Sequence, residues 1–197
     1  MMRNAPTLVE APSHKPVTLA EAKAHLRVDT NDEDFLIDAL ITTAATHLDG
    51  WSGILGRALV TQTWQETLSA FPVCGLLRLR LAPVQTVEAI LYRDAANTER
   101  TLSPSLYEGP LADDLGAYVA LKSTEVWPAT YERRDAVTVR YVCGYGAPAD
   151  VPAPVKQAML LMIGDWYANR EPPTAGTALA LPFAASALLA PLRRGCV

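Results

Sequence analysis

Cysteine is scarce in this chain. Cys74, Cys143 and Cys196 stand far apart and are odd in number. That argues against a disulfide framework or a zinc knuckle, and makes a reducing cytoplasm the natural place of synthesis. Long apolar runs are missing too. No stretch approaches the ~20 residues a membrane helix needs, and the nearest, Ala178 to Leu192, is cut by Pro182 and Pro191. The opening MMRNAPTLVEAP has no apolar centre long enough for a signal peptide. An excess of basic charge is absent: 17 Lys and Arg against 21 Asp and Glu leave a net charge of −4. That opposes a DNA-coating surface, though not the passage of DNA nearby.

Chemical motifs are equally sparse. His14, His25 and His47 are isolated, and no His-x-x-x-His, Cys-x-x-Cys or Glu-x-x-His pattern occurs. Gly144-Tyr145-Gly146 and the Gly50 to Gly56 loop lack the Lys and Ser or Thr of a phosphate loop. Gly50-Trp51-Ser52-Gly53 is not a nucleophile elbow. Asp32, Glu33, Asp34 and Asp38 do not have the spacing of a calcium loop. No catalytic residue, cofactor-binding residue or metal ligand is therefore assigned.

What the chain has is a clear order of elements. Half of its 197 residues are apolar, enough for a real core. Thr18 and Glu21 have capping-box spacing, with Leu19, Ala22 and Leu26 on one stripe of a short helix. Asn31 is a candidate cap for a second helix whose first turn is acidic. Phe35, Leu36, Ala39, Leu40, Ala44, Leu48 and Trp51 recur at three- and four-residue steps, which predicts a wide buried face. From Leu59 the period becomes two. Gln62, Trp64, Glu66 and Leu68 alternate with threonines in a strand with one solvated side. Leu77 to Leu81, Val87 to Tyr92, Thr98 to Leu102, Tyr118 to Leu121 and Ala136 to Val142 read as further strands, with a turn at Asp94 to Asn97. Val155, Ala158, Met159, Met162, Ile163, Trp166 and Tyr167 then mark a strongly apolar helix ended by Pro172-Pro173.

The predicted fold class is α+β. A small helical bundle, two N-terminal helices plus a C-terminal one, carries an inserted antiparallel β block and an extended C-terminal tail. The predicted boundaries are a flexible arm at 1–16, helical core at 17–58, β insert at 59–147, the completing helix at 148–171 and a tail with a short helix at 172–197. The tail from Thr174 has no acidic residue. Its apolar segment can pack on its own domain or dock on another subunit. From Asp32 to Trp51 there are five acids and no Lys or Arg. These acids make either a solvated helix face or a surface for a basic partner or for sliding DNA. Arg78, Arg80, Arg93 and Arg100 could form a basic patch on the β block.

In this order the elements resemble the head–tail connector (adaptor) proteins of tailed bacteriophages, prophages and gene-transfer-like particles. The resemblance is carried by Leu19-x-x-Ala22-Lys23-x-x-Leu26-Arg27, the acidic turn, and Gly56-Arg57-Ala58-Leu59 with Thr61-Gln62-Thr63-Trp64. Leu81-Ala82-Pro83-Val84, Trp127-Pro128, Val139-Arg140-Tyr141, Ile163-x-x-Trp166-Tyr167 and the closing Leu188-Leu189-Ala190-Pro191-Leu192-Arg193 extend it over nearly the whole chain. The resemblance implies a structural, non-enzymatic subunit without cofactors. It implies a homo-oligomeric ring, typically of twelve copies, between the portal protein and the next neck (stopper) protein of a virion. Such a protein is made in the bacterial cytoplasm, has no membrane contact, and passes DNA through its lumen without sequence-specific binding. By position, Leu181, Phe183, Leu188, Leu189, Leu192, Arg193 and Arg194 would meet the portal. Asp32, Glu33, Asp34 and Asp38 would face the lumen or a ring neighbour. The competing reading is a soluble α+β ligand-binding or hydrolytic domain, which needs a convergent polar pocket.

Overall fold

Thr18 opens the first helix through the reciprocal bonds that its spacing with Glu21 predicts. In the computed structural model, which describes residues 2–169 and 183–193, Thr18 Oγ1 accepts from Glu21 N at 3.2 Å. Glu21 Oε2 accepts from Thr18 N at 2.7 Å. This is helix α1, Leu19–Leu26, ended by Arg27 in the left-handed region. Helix α2 spans Asp34–Leu48, α3 spans Ala153–Ala168 and α4 spans Phe183–Leu189. Among the described residues the architecture is α+β, with four α-helices and antiparallel sheets.

The chain forms two compact units. One is helical and comprises 14–60 and 145–197. Its core joins Val17 and Ala22 of the first segment and helix, Ile37, Ile41, Ala44 and Leu48 of α2, and Val155, Met159, Met162 and Ile163 of α3. Lys156 Nζ reaches Glu21 Oε1, so an ion pair also ties α3 to α1. The loop after α2 turns back tightly. A side chain at Gly53 would put its Cβ 2.4 Å from the Leu48 and Asp49 backbone oxygens, so no larger residue fits there without a shift.

Helix α2 differs from its sequence reading. Its N-cap is Glu33, not Asn31. Asn31 instead accepts from Lys23 Nζ at 2.7 Å. The buried stripe is Ile37, Ile41, Ala44 and Leu48. Phe35 is 90% exposed, and Ala39 and Trp51 also face out. Both stripes have helical spacing. The β-branched Ile37 and Ile41 take the inner face, and the larger Phe35 is left at the first turn.

The other unit, 1–13 with 61–144, is all β. Strands β1 (Thr7–Glu10), β2 (Gln62–Leu68), β4 (Val84–Arg93), β5 (Glu99–Thr101) and β8 (Val137–Cys143) form one sheet. Its order is β1-β2-β8-β4-β5. Strands β3 (Leu76–Arg78), β6 (Tyr107–Asp113) and β7 (Gly116–Leu121) form a second, in the order β3-β7-β6. Every pairing is antiparallel. Strand β8 shows the alternation behind this packing: Val137, Val139, Tyr141 and Cys143 are buried, and the residues between them are not.

Two strands escaped the sequence reading. The first is β6, whose Gly109-Pro110 and charged residues hide its alternation. The second is β1. Residues 2–10, expected as part of a mobile arm, lie along β2 with Thr7 opposite Gln65 and Leu8 opposite Trp64. All four β1 side chains are exposed, so no hydrophobic period betrays the strand. Its stability comes from the edge of β2, whose amides and carbonyls need partners.

Candidate assembly surfaces

The C-terminal helix meets its own unit first. Ala185 and Leu189 are buried in the helical core, with Leu188 and Leu192 half-buried against it. Arg57 Nε donates to the Leu192 carbonyl at 2.8 Å, fixing the end of the segment. Phe183, at the other end of α4, is 89% exposed, and Arg193 is exposed as well. Of the seven residues expected to meet a portal, Leu181 and Arg194 lie outside the described residues. The remaining five divide into three that pack inward and two that face out. The sequence left both destinations open for this segment, and the packing explains why. Its apolar residues occupy a stripe wide enough to serve an inner and an outer contact.

The acids of α2 have partners within their own unit. Asp34 pairs with Lys23 at 2.7 Å and Asp38 with Lys15 at 2.7 Å. Glu33 accepts from the Tyr167 hydroxyl. Asp32 is exposed and makes no ion pair among the described residues. The free negative charge of this face is thus smaller than the run of acids suggests.

Three of the four arginines expected to form a basic patch on the β block are paired with carboxylates in the same way. Arg78 donates both terminal nitrogens to Asp113, at 2.9 and 2.8 Å, and lies over the Tyr118 ring. The fork fits the carboxylate bidentately, and the arginine holds Asp113 below its usual range. Arg93 pairs with Glu99 and Arg100 with Asp94, each at 3.0 Å. Arg80 donates to the Asn4 carbonyl at 3.0 Å. The three ion pairs reduce the basic patch that the sequence allowed.

A buried polar cluster was missed. Glu66 is only 2% exposed. Its Oε1 accepts from the Tyr141 hydroxyl at 2.6 Å and from Arg80 N at 2.7 Å, and Arg3 Nη1 stands 3.9 Å from Oε2. Burial, reinforced by the neighbouring Glu66 charge and hydrogen bond, pushes the Tyr141 hydroxyl far above the usual phenol range. Burial lowers the Arg3 guanidinium, against the attraction of Glu66. Every partner of Glu66 is a donor, so the cluster holds both of its oxygens in place. The signal was present in the sequence. Glu66 alternates in register with Trp64 and Leu68, on the face that proves buried.

Other groups that could carry chemistry stand apart. Cys74 is exposed and Cys143 buried. Among the described residues no group of three or more His, Cys, Asp or Glu is placed to hold a metal ion. No described helix is long and apolar enough to cross a membrane.

With this geometry established, solved structures give a full-length match. A chain from the neck of an empty gene transfer agent (GTA) particle, computed with C6 symmetry, superposes with a TM-score of 0.77 at 25% identity. The match covers 100% of this chain and 97% of that one. A chain from the virion of a native GTA particle gives 0.74 at 25% identity, with the same coverage. A chain from the neck of a native GTA particle, computed with C12 symmetry, shares the fold at a TM-score of 0.67 and 22% identity. The chain has the fold of these GTA neck and virion chains. No family model and no curated protein matches it. In this shared fold the helical bundle and the β block are both matched, since coverage is complete. The long β insert is therefore part of the shared architecture.

Proposed function

We propose that this protein is a structural head–tail connector (adaptor) subunit. It forms a ring, of twelve copies as the resemblance implies, between the portal and the next neck protein, and DNA passes through the lumen. It acts by shape and surface burial and not by catalysis. The observation that carries this reading is the end-to-end match to a neck chain of a GTA particle. The paired acids and arginines agree with it, because a lumen that neither binds nor strongly repels phosphate lets a duplex slide.

In this reading the outward members of the C-terminal segment, Phe183 and Arg193 with the flanking Leu181 and Arg194, meet the portal. The inward members, Leu188, Leu189 and Leu192, hold that segment on the protomer. Asp32, just ahead of α2, is the acid of this run best placed to face DNA or a ring neighbour, with Glu33, Asp34 and Asp38 committed to local contacts. Imaging of particles carrying a tagged copy tests the proposal. The expected result is one ring of tag density adjoining the portal, and heads without tails when the gene is deleted. Tag density elsewhere on the particle, or tailed heads in the deletion, refutes it.

A further inference from the structure

Residues 2–10 are attached to the β unit in an unusual way. They run along the edge of β2, yet Arg3 and Pro6 are the only members of the segment that are not exposed. The segment can leave without opening the hydrophobic core. Its slot cannot stay empty so easily. Glu66 is buried, and Arg3 is the cation at its second oxygen. An uncompensated buried carboxylate is strongly destabilising. The slot also holds Asn4, whose amide donates to the Thr67 carbonyl at 3.1 Å and whose side chain donates to Thr67 Oγ1 at 2.7 Å. The β2 edge therefore requires this segment, but nothing in the pairing requires that the segment come from the same chain.

The connection to the rest of the chain is short. The helical unit begins at His14, and Lys15 pairs with Asp38 of α2, so Ala11-Pro12-Ser13 is all that separates the end of β1 from it. Short proline-bearing hinges favour exchange of a terminal element between identical chains. Symmetry then selects the form of the exchange. A ring is built from head-to-tail contacts, in which one surface meets a different surface on the next copy. A β1 edge pairing with another β1 edge would be self-complementary and would stop at a dimer. A segment passed to the β2 edge of the next copy is head-to-tail and can close a ring.

We propose that in the ring, residues 2–10 of each copy occupy the β2 edge of a neighbouring copy, with Arg3 placed against that neighbour's Glu66. The inference rests on the ring reading above. It makes the N-terminal segment the strap that joins subunits, and the pairing seen within one chain its closed, unassembled form.

Two chains test it, both with Cys74→Ser and Cys196→Ser. One carries Thr7→Cys and the other Gln65→Cys, positions that face each other across the β1–β2 pair. Neither can close this disulfide within itself. The two are mixed in equal amounts, assembled on portal-bearing heads, oxidised with copper phenanthroline and run on a non-reducing gel. With exchange in one direction around a randomly mixed ring, about half of the Thr7→Cys chains should be joined to a Gln65→Cys chain. A single chain carrying both substitutions gives the second measurement. It should close within itself when free, and yield a ladder of linked subunits once assembled. Rings that form while the doubly substituted chain closes only within itself overturn the strap and leave the neck reading standing. Failure to form any ring on portal-bearing heads overturns both.

Discussion

Tyr141→Phe isolates the buried cluster of the β unit. The substitution removes one oxygen and leaves the ring in place. Glu66 Oε1 loses a 2.6 Å bond and keeps Arg80 N at 2.7 Å. A hydrogen bond to a charged group contributes about 1.5–3 kcal/mol, and a buried acceptor left short of a donor lies within that range. The expected loss is therefore about 2 kcal/mol near neutral pH. With a urea slope of roughly 2 kcal/mol per molar, the midpoint falls by about 1 M.

The pH dependence makes the test specific. The folded state raises the Tyr141 hydroxyl above its ordinary value of 10.0. The stability this contributes is complete below pH 10. Above it the unfolded chain releases the proton and the folded chain keeps it, so stability falls by about 1.4 kcal/mol per pH unit. The phenylalanine variant has no such proton to lose at this site. The gap between wild type and variant should be constant from pH 7 to 9 and shrink by about 1.4 kcal/mol per unit above pH 10. Urea unfolding followed by tryptophan fluorescence at half-unit steps to pH 11.5 measures it. A gap that stays constant through that range would mean the hydroxyl ionises as freely folded as unfolded. The buried pairing with Glu66 would then be wrong.

Three further outcomes are expected. Leu189→Ala removes a fully buried side chain from the helical core and should cost about 2–5 kcal/mol in urea unfolding; truncation after Pro173, which also removes Ala185, should cost no less. Thr18→Ala removes the hydroxyl that accepts from Glu21 N and leaves the backbone amide bonded to Glu21 Oε2, and should cost about 0.5–2 kcal/mol, with faster amide exchange confined to the first turn of α1. Phe183→Ser changes an exposed side chain, so unfolding should shift by less than about 0.5 kcal/mol, while binding to portal-bearing heads in a pull-down should drop; unchanged binding counts against the portal contact.

Much of this fold can be read from the residues. The α1 cap, the α3 stripe from Val155 to Ile163 and the alternation of β8 each state one period without competition, and each is found as expected. The losses have particular causes. In α2 the run Phe35-Leu36-Ile37 is followed by Leu40-Ile41, which supports two stripes rotated by about one residue step of ~100°. Only packing against Met159 and its neighbours chooses between them. Strand β1 has no inward-facing side chain at all, so its formation depends wholly on the β2 edge, 50 or more residues away.

The surfaces that matter for assembly are harder to read, for a reason that is physical. A residue buried only in a complex has the same chemistry as one buried in the monomer. Phe183, Leu188 and Leu192 form one apolar face in the sequence, and the helix puts them on different sides of its contact: Phe183 outward, the leucines toward the core. Charge is misleading in the opposite direction. Asp34, Asp38, Arg78, Arg93 and Arg100 look like free faces, and each is tied to an opposite charge from elsewhere in its unit. Exposed pairs of this kind contribute little stability, at most about 1 kcal/mol each. Their consequence here is to lower the net field of the surface. Phe35 and Phe183 stay largely exposed, as do Val73 and Val126, and the edge of β2 is covered only by the exposed strand β1. Those are features that burial against a neighbouring subunit would stabilise.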